Sequence, residues 1–552
     1  MKPVYRNIAG ALFVAILLAA FTVPADRYFE IARSLDIFAT LFKEVNSHYV
    51  DEVDPEKMVR TGIGSMLQGL DPYTDYIPEE DAEAFSIMTT GEYAGIGALI
   101  VSLDSKIFIS QPYNGFPAQL GGVRVGDEIV SVEGKPVNGF STAQVTALLK
   151  GSPKTPVSMV VRRPGVQQEI NLNLTRERIN VQAVTDARRI DANTGYIRLS
   201  EFTVGASREM EEAMRKLKAE GIRSLILDLR DNPGGLLYEA VNISNLFLPK
   251  DKEVVRTRGK VKDYEKTYRT LNNPTDANLP LVVLVDGGSA SAAEIVAGAL
   301  QDHDRALLIG RKTFGKGLVQ TTRELPYNGQ LKITTARYYI PSGRCIQALD
   351  YSHRTKDGSA IKVADSLKNT FKTAGGRPVR DGGGLDPDIT VKLDLPVELL
   401  NALAAGGHLF LYANEWCATH PDPGDLRKFS LQEKDYSRFI AFLEERKFRF
   451  RSSFEEKLDA VEKAAKEQKA IGELEPALRA LRGRLDDLLT RYKPAVMDIL
   501  KDEIAFHLKM DQGRSEVSFT SDPDVLEAIR VLNDPAGYRK TLTATNGTDS
   551  KP

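Results

Sequence analysis

At 552 residues the chain is too long for one hydrophobic core, and domains of roughly 100 to 200 residues predict three or four units. Hydrophobic residues make up 42% and charged residues 27%, and the formal net charge of −2 excludes a polybasic nucleic-acid binder and an acidic tail. The only cysteines, Cys345 and Cys417, and six histidines without ligand spacing exclude a disulfide scaffold and predict no metal site. Whether the two cysteines pair stays open.

Residues 1–25 have the pattern of an export signal. Lys2 and Arg6 precede an uncharged apolar run, and Asp26 restores charge directly after it. Because a basic flank stays in the cytoplasm, the rest of the chain is expected to cross the cytoplasmic membrane, into the periplasm or facing outward on an anchor. Val23-Pro24-Ala25 fits a cleavage site, but the run is also nearly long enough to remain in the membrane. Cleavage and anchoring therefore both stay open.

Two regions of different texture follow the signal. Residues 26–85 carry apolar positions at helical spacing, which predicts a helical N-terminal region. Residues 86–175 change to short β-rich runs separated by Gly, Pro and Asp turns, with one helix near residues 141–150. The second region therefore predicts a small β-rich module.

The next region predicts an α/β core. Apolar strands alternate with amphipathic helices, which indicates a largely parallel, helix-covered sheet whose site lies past the carboxyl ends of strands. We place this core at residues 176–396. A long charged helical pattern predicts a helical C-terminal domain at residues 397–540, and residues 541–552 are typical of a disordered tail. The predicted fold class is thus multidomain α/β.

Three motifs in the core suggest other chemistry, and each fails on its context. Residues 310–316, GRKTFGK, match a phosphate loop except that Gly317 replaces the Ser or Thr that binds magnesium. His303 lies in a polar turn with acids on both sides, which favours a solvated surface histidine over a triad member. Ser359 and Lys362 have a Ser-x-x-Lys spacing in a polar loop without its companion motifs, so we attribute that match to chance.

A serine and lysine pair is the remaining interpretation. The strand LVVLVDGG ends just before Ser289 and Ser291, where a helix begins and backbone N–H groups are exposed. Lys316 follows the next strand, and adjacent parallel strands bring both loops to one edge of a sheet. Burial lowers a lysine pKa by as much as roughly 3 to 5 units, which allows it to accept a proton. Spacing alone leaves open the alternative that the serines only start a helix and Lys316 is a surface lysine.

Four sequence blocks resemble the carboxyl-terminal processing, or tail-specific, serine proteases. They occur in the family's order and read LILDLRDNPGGL, SASAAEIVAGAL, GRKTFGKGLVQ and TARYYIPSGR. The resemblance covers roughly residues 30 to 395, and residues 346–380 look longer than the family's minimal loop. It implies a serine protease core of the α/β class and no cofactor.

The resemblance implies roles for three side chains. Ser291 matches the nucleophile, Lys316 matches the general base, and Gln320 matches the residue that orients the lysine. On this assignment the serine proton passes to Lys316 and not to His303.

The resemblance also implies an oxyanion hole built from backbone N–H groups. One comes from Ala292 and the other from a glycine of the NPGG block, with Gly234 the first choice and Gly235 the second. Ser289 is then expected to be a helix cap.

The β-rich module resembles a PDZ domain in GEYAGIGALI and PAQLGGVRVGDEIVSVEGKPV. Its turn at Gly95, Ile96 and Gly97 is expected to donate N–H groups to a chain-terminal carboxylate while the peptide adds as a strand. Val145 and Leu149 of the module's helix are expected to wall an apolar pocket, although either residue is equally typical of ordinary core.

These features predict an exported serine endopeptidase that captures protein or peptide substrates by their free apolar C-termini. It would cleave through an acyl-enzyme without metal or cofactor. The alternative is a catalytically silent PDZ scaffold, which the presence of all three matched side chains argues against. Three roles are open for the C-terminal helices: capping the active site, forming a homo-oligomer or docking a partner. The sequence does not distinguish among them. Membrane association is expected only through the N-terminal segment.

Overall fold

The structure is a computed structural model that describes residues 25–355, 358–392, 395–420, 422, 424–468, 470–483 and 488–543. The described chain divides into two compact units, one that ends at Tyr76 and one that begins at Ile77. The predicted export signal lies outside the described residues apart from Ala25, and so does the predicted tail apart from residues 541–543, which end a helix. Among the described helices, none is both long and apolar enough to cross a membrane.

The first unit is helical over most of its described length. Helix α1 (Ala25–His48) and helix α2 (Pro55–Gln68) precede the short strand β1 (Asp75–Ile77). Asp54 caps α2, because its carboxylate accepts a hydrogen bond from the N–H of Lys57 at 3.1 Å. The helical character predicted for this region is confirmed.

The second unit begins with the β-rich module. Its elements are, in chain order, α3 (Glu79–Thr90), β2 (Glu92–Gly95), β3 (Ala98–Leu103), β4 (Lys106–Pro112), α4 (Pro117–Leu120), β5 (Glu128–Val132), β6 (Lys135–Pro136), α5 (Thr142–Leu149), β7 (Pro156–Arg162), β8 (Ile170–Thr175) and β9 (Glu177–Asn180). The main sheet has the order β3-β4-β5-β7-β8, while β6 pairs with β5 and β2 pairs with β9. Within the described chain β3 pairs only with β4, so its other edge is open to an added strand.

An alternating α/β core follows. Its elements are, in chain order, β10 (Val184–Arg189), β11 (Thr194–Leu199), α6 (Ala206–Ala219), β12 (Ser224–Asp228), α7 (Leu237–Asn245), β13 (Glu253–Gly259), β14 (Lys266–Arg269), β15 (Leu281–Val285), α8 (Ala292–Asp302), β16 (Leu307–Gly310), β17 (Leu318–Glu324), β18 (Gln330–Tyr339), β19 (Leu349–Arg354), β20 (Ala360–Lys362), β21 (Thr370–Lys372), β22 (Pro378–Arg380) and β23 (Ile389–Thr390).

The main sheet of this core has the order β10-β11-β12-β15-β16-β23. All neighbouring pairs are parallel except β10 with β11. The carboxyl ends of β12, β15 and β16 therefore lie side by side, at the edge where such sheets place their sites. In a second, antiparallel sheet, β13 pairs with β14 and β18, and β18 pairs with β17.

Helices make up the described chain after residue 396. They are α9 (Val397–Ala405), α10 (His408–Thr419), α11 (Glu433–Glu445), α12 (Ser453–Glu467), α13 (Ile471–Gly483), α14 (Leu488–Arg491), α15 (Lys493–Ser521), α16 (Pro523–Leu532) and α17 (Pro535–Thr543). α15 is kinked, because the backbone of Lys509 and Met510 is non-helical. Leu399, Tyr412 and Phe439 share one apolar cluster with the first part of α15. The helical C-terminal extension predicted from the sequence is confirmed.

Both faces of the main sheet are buried, and helices from different parts of the chain cover them. On one face, Leu225 and Leu227 of β12 join a core with α6, α7 and α8. On the other face, Ile226 of the same strand packs with Val525 of α16 and Tyr538 of α17. Because both faces are buried, the strands are continuous apolar runs and do not alternate between apolar and polar residues. The last two helices are therefore a structural layer of the α/β core.

We expect the packing of α16 to be measurable by truncating one leucine on each of its faces. Leu532 is 7% exposed and Leu526 is 42% exposed. Leu532→Ala leaves a cavity and should lower the free energy of unfolding by about 2 to 5 kcal/mol. Leu526→Ala is the matched control and should change it by less than about 0.5 kcal/mol. Urea denaturation followed by circular dichroism measures both, and equal losses would contradict this packing.

Candidate active site

Ser291 lies in the turn between β15 and α8, directly before the first helical residue. Its φ is +53° and its ψ is −112°, a backbone conformation that L residues rarely adopt. The loop after β12 touches this turn at Gly234. A Cβ at Gly234 would lie 2.7 Å from the carbonyl oxygen of Ala290 and 2.8 Å from the nitrogen of Ala292 and from Cβ of Ser291. Only glycine allows so close an approach, and the structure thus brings Gly234, Ser291 and Ala292 together.

The predicted oxyanion donors differ in their hydrogen bonding. The N–H of Gly234 donates to Oδ1 of Asn232 at 2.9 Å and is therefore engaged within its own loop. Gly235 lies beside Phe202, with which it forms a parallel β-bridge. In the part of the chain that the structure describes, the N–H groups of Ala292 and Gly235 have no acceptor. The geometry therefore favours Gly235, the second choice from the sequence, as the partner of Ala292.

A buried carboxylate joins the Ser291 turn to the Lys316 loop. Glu294, on the first turn of α8, is fully buried. It accepts hydrogen bonds from the N–H of Ser291 at 3.0 Å, the N–H of Lys316 at 2.9 Å, the N–H of Gly315 at 2.8 Å and Oγ1 of Thr313 at 2.5 Å. Burial raises the pKa of Glu294 to about 7 although these donors favour its charged form. The serine and lysine backbones are thus held to one side chain.

Tyr338, on β18, forms a second link between the same two residues. Its hydroxyl lies 2.6 Å from the carbonyl oxygen of Lys316 and 3.1 Å from that of Ser291, and its one proton is shared between these two acceptors. Glu294 therefore holds the N–H groups of the pair and Tyr338 holds their carbonyl oxygens. No role for either residue was predicted from the sequence, although the Ser-x-x-Glu spacing is that of a capping box and indicated Glu294.

The lysine loop packs as closely as its two glycines allow. A Cβ at Gly315 would lie 2.6 Å from Cβ of Ala348, and one at Gly317 would lie 2.9 Å from the nitrogen of Gln347. Gln320 follows on β17, where its Nε2 donates to Oγ1 of Thr334 at 3.1 Å. Its predicted role in orienting Lys316 stays a prediction.

Acidic side chains of the C-terminal helices fix the same edge of the sheet. Arg230, just after β12, donates to Asp522 at 2.6 Å and to Asp524 at 3.0 Å. Arg311, just after β16, donates to Asp524 at 3.1 Å. Burial alone would raise the pKa of Asp228, but Arg230 and Arg198 hold it well below its usual value. The loops before NPGG and before Lys316 are therefore both tied to α16.

The positions of Ser289 and His303 decide whether Ser289 caps a helix and whether His303 lies in the site. Ser289 does not cap α8, and that expectation was wrong. It is buried, and its Oγ donates to the carbonyl oxygen of Leu229 at 2.7 Å. This hydrogen bond fastens the turn to the loop after β12. His303 lies at the opposite end of α8, about 18 Å from Ser291 by the rise of twelve residues. It contacts the carbonyl oxygen of Glu253 at 2.7 Å and lies outside the site.

The other alternative motifs have no site geometry. The backbone of Gly315 and Lys316 donates to a carboxylate, which excludes a phosphate cradle at this loop. Ser359 and Lys362 are exposed. Cys345 and Cys417 are free thiols, so they do not pair with each other.

The predicted peptide-binding residues lie at one end of the β-rich module. Gly95 ends β2, and Ile96 and Gly97 form the turn to the open-edged strand β3, where Gly97 has a φ of +75°. Ile96, Val145 and Leu149 are buried together in the module's core. The turn lies where a strand-adding peptide would end, and the role of these side chains in a pocket stays a prediction.

Comparisons with known proteins match family models to three ranges of this chain. They match Peptidase family S41 at residues 193–353, a PDZ domain at residues 108–163, and "Probable PDZ-protease, C-terminal helical domain" at residues 399–532. The first of these ranges includes the Ser291 and Lys316 loops. The third includes the helix that carries Asp522 and Asp524.

Curated relatives and a solved structure match over more than half of the chain. The Carboxy-terminal-processing protease of Bartonella bacilliformis is 36% identical over 355 residues, which cover 63% of this chain and 81% of the relative. The Carboxy-terminal processing protease CtpA of Bacillus subtilis is 36% identical over 306 residues, covering 55% and 65%. The structure titled photosystem II D1 C-terminal processing protease is 27% identical with a TM-score of 0.37, covering 65% of this chain and 88% of that one.

The titration of Glu294 should be visible in the stability of the protein. Because its pKa rises from 4.5 to about 7 on folding, the folded chain keeps a proton that the unfolded chain releases. Its contribution to stability is therefore complete below about pH 4.5 and is lost as the pH rises through about 7. Glu294→Gln cannot ionise. The difference between its melting temperature and that of the parent should therefore increase in favour of the variant as the pH rises from about 4.5 to about 7. The exposed Glu324→Gln should show no such trend, and a pH-independent difference for Glu294→Gln would contradict the assignment.

Loss of the Asp524 carboxylate should loosen both loops that it joins. Asp524 is 1% exposed, so Asp524→Asn leaves two arginines with a missing partner in a buried place. We expect kcat on an unfolded protein substrate to fall roughly 10-fold with little change in KM, since the loops and not the substrate contacts are displaced. Asp534→Asn, at an exposed position after the same helix, is the control. Equal kinetics for the two variants would show that the clamp does not position the site.

Proposed function

Because the chain belongs to the carboxy-terminal-processing proteases of Peptidase family S41, a serine-type peptidase family, we propose that Ser291 is its nucleophile and Lys316 its general base. The observation that carries this proposal is the double link between the two residues, through Glu294 on their N–H groups and Tyr338 on their carbonyl oxygens. Nucleophile and base must be held within hydrogen-bond reach, and this frame supports that requirement.

The proposed reaction passes through an acyl-enzyme. Oγ of Ser291 attacks the carbonyl carbon of the scissile bond while its proton passes to neutral Nζ of Lys316. The N–H of Ala292, at the positive end of α8, and the N–H of Gly235 receive the oxyanion. As the C–N bond breaks, the lysine returns the proton to the leaving amine. Water then gives a proton to Lys316 as it attacks the ester carbonyl carbon. As the ester C–O bond breaks, the lysine passes that proton to Oγ of Ser291, and Gln320 orients the lysine.

The PDZ domain gives the proposal its substrate class. A free C-terminus would bind at the turn of Gly95, Ile96 and Gly97 while the peptide adds as a strand to the open edge of β3. Protein or peptide substrates with apolar C-termini fit this mode, since the module's core lies directly behind the turn. The substrate would thus be tethered by its end and cleaved nearby.

The proposed place of action is outside the cytoplasmic membrane. The basic flank and apolar run of residues 1–25 support export, into the periplasm or onto an anchor that faces outward. A proteolytic site that accepts unfolded chain ends is compatible with that compartment, where newly made cytoplasmic chains are absent. Self-association through the helical regions stays part of the proposal.

Ser291→Ala and Lys316→Ala test the mechanism. Each should lower kcat by at least about 10³-fold, because the pair acts as a unit. His303→Ala is the control and should keep parent activity, since that side chain lies at the far end of α8. The substrate is an unfolded protein with an apolar C-terminus, offered with a free and with an amidated end. Full activity in either alanine variant would sink the pair, and binding without cleavage by the parent would favour a silent scaffold.

A further inference from the structure

The PDZ domain docks on helix α10 of the C-terminal domain at a position that only glycine can occupy. Gly126, just before β5, has a φ of +88°, and its carbonyl oxygen accepts a hydrogen bond from Nδ2 of Asn414 at 2.8 Å. A Cβ at Gly126 would lie 1.6 Å from Oδ1 of the same asparagine, which is 7% exposed. The carboxamide therefore fills the place that a side chain at Gly126 would take, and the two domains interlock there.

Two further contacts extend this interface along strand β4 of the PDZ domain. Nε2 of Gln111 donates to Oδ2 of Asp511, on α15, at 3.0 Å. The rings of Phe108 and Phe410 meet edge to face, with their centroids 6.1 Å apart, and Phe410 lies on α10. One strand thus contacts two different helices of the C-terminal domain, which fixes the orientation of the PDZ domain as well as its position.

One helical segment joins this interface to the active-site edge. Asp511 directly follows the kink in α15, and the segment that begins there ends directly before Asp522. The carboxylate of Asp522 accepts a hydrogen bond from Arg230 at 2.6 Å. Within the same segment, Glu516 forms an ion pair with Arg188 of β10 at 3.5 Å. The segment that holds the PDZ domain is therefore also bound to the α/β core.

The C-terminal domain also lies at the end of the groove where a captured substrate would leave it. The terminal carboxylate is expected at the turn before Ala98, so the residues that precede it would run along β3 toward Leu103. A Cβ at Gly407, in the turn between α9 and α10, would lie 2.6 Å from Cδ2 of Leu103. Arg446, which directly follows α11, forms an ion pair with Asp104. A captured chain would therefore leave the PDZ domain beside the C-terminal helices.

We propose that the C-terminal helices hold the PDZ domain at a fixed span from Ser291, so that cleavage occurs at a defined number of residues from the substrate's free end. The inference rests on the proposed function, since it needs capture of the C-terminus and cleavage at Ser291. A tethered chain reaches a second site with an effective concentration that is maximal when its length matches the span and near zero when it is too short. A docked PDZ domain therefore gives one favoured spacing, and a loose domain would give many.

A disordered tail built from one short repeated sequence measures this spacing. Every repeat offers the same bonds to the full-length parent chain, and the tail ends in valine with a free carboxylate. Mass spectrometry of the first cleavage products should show cuts concentrated in one repeat, counted from the free end. Added repeats at the far end of the tail should leave the length of the released C-terminal piece unchanged.

Gln111→Glu combined with Asn414→Asp should release the PDZ domain from the helices. Both changes keep the shape of the side chain, but each replaces an amide donor with a carboxylate oxygen that faces the same acceptor. We expect the share of cuts in the favoured repeat to fall about 2- to 3-fold, since the span is no longer fixed. Asn173→Asp combined with Gln468→Glu is the matched control, which makes the same changes at exposed positions of the same two domains and should keep the parent's pattern.

The outcomes separate this inference from the proposed function. If the parent cuts a tail with an amidated end equally fast and in the same place, capture of the C-terminus fails, and the inference fails with it. If cleavage needs the free end but the parent's cuts spread evenly over the repeats, capture stands and the fixed span is wrong. A favoured repeat that persists in the double variant would show that docking on the helices does not set the spacing.

The Kd for a short peptide ending in valine checks that the PDZ domain of the double variant is folded, and it should equal that of the parent. If that Kd rises, Gln111→Glu alone, at a half-buried position, takes the place of the double variant. The single change should broaden the cuts in the same direction, and an unchanged pattern would again overturn the inference.

Discussion

The active-site edge depends on one buried carboxylate. Glu294 accepts four hydrogen bonds, and three of its donors belong to the loop of Lys316 while the fourth is the N–H of Ser291. A carboxylate without partners would be very costly at full burial, so the chain places it only where loops from two strands supply donors together. The strained backbone of Ser291 persists because this side chain and Tyr338 over-determine it.

A second set of charges completes the site from a distant part of the chain. Arg230 and Arg311 follow neighbouring strands, and both reach Asp524 at the start of α16. The same helix covers the sheet face that includes Ile226, opposite the face covered by α8. Packing and ion pairing thus act on the same elements, since the helix that buries the sheet also holds the loops at its edge.

Local pattern in the sequence predicted what is local in the structure. The strand-turn-helix around Ser291, the β-rich module and the α/β core follow from hydrophobic periodicity and turn residues, and a family resemblance added roles to Ser291 and Lys316. The role of Glu294 was within reach, because its spacing from Ser291 is that of a capping box. The contacts of Asp524 were not, since no local pattern relates a helix start to arginines so far away in sequence. The hydrogen bond of Gly234 to Asn232, which favours Gly235 as donor, and the buried bond of Ser289 likewise depend on tertiary contacts.

The ion pairs between Arg230 and the start of α16 also determine when during synthesis the active-site edge can be completed. Translation produces the Ser291 and Lys316 loops well before Asp522 and Asp524, so a growing chain carries the proposed nucleophile and base in loops that lack their final ion pairs. The sheet likewise keeps one apolar face uncovered until the last helices have been made. Synthesis from the N-terminus therefore leaves this edge of the sheet incomplete until nearly the whole polypeptide exists. Proteolytic removal of the C-terminal helices would return the edge to that incomplete state.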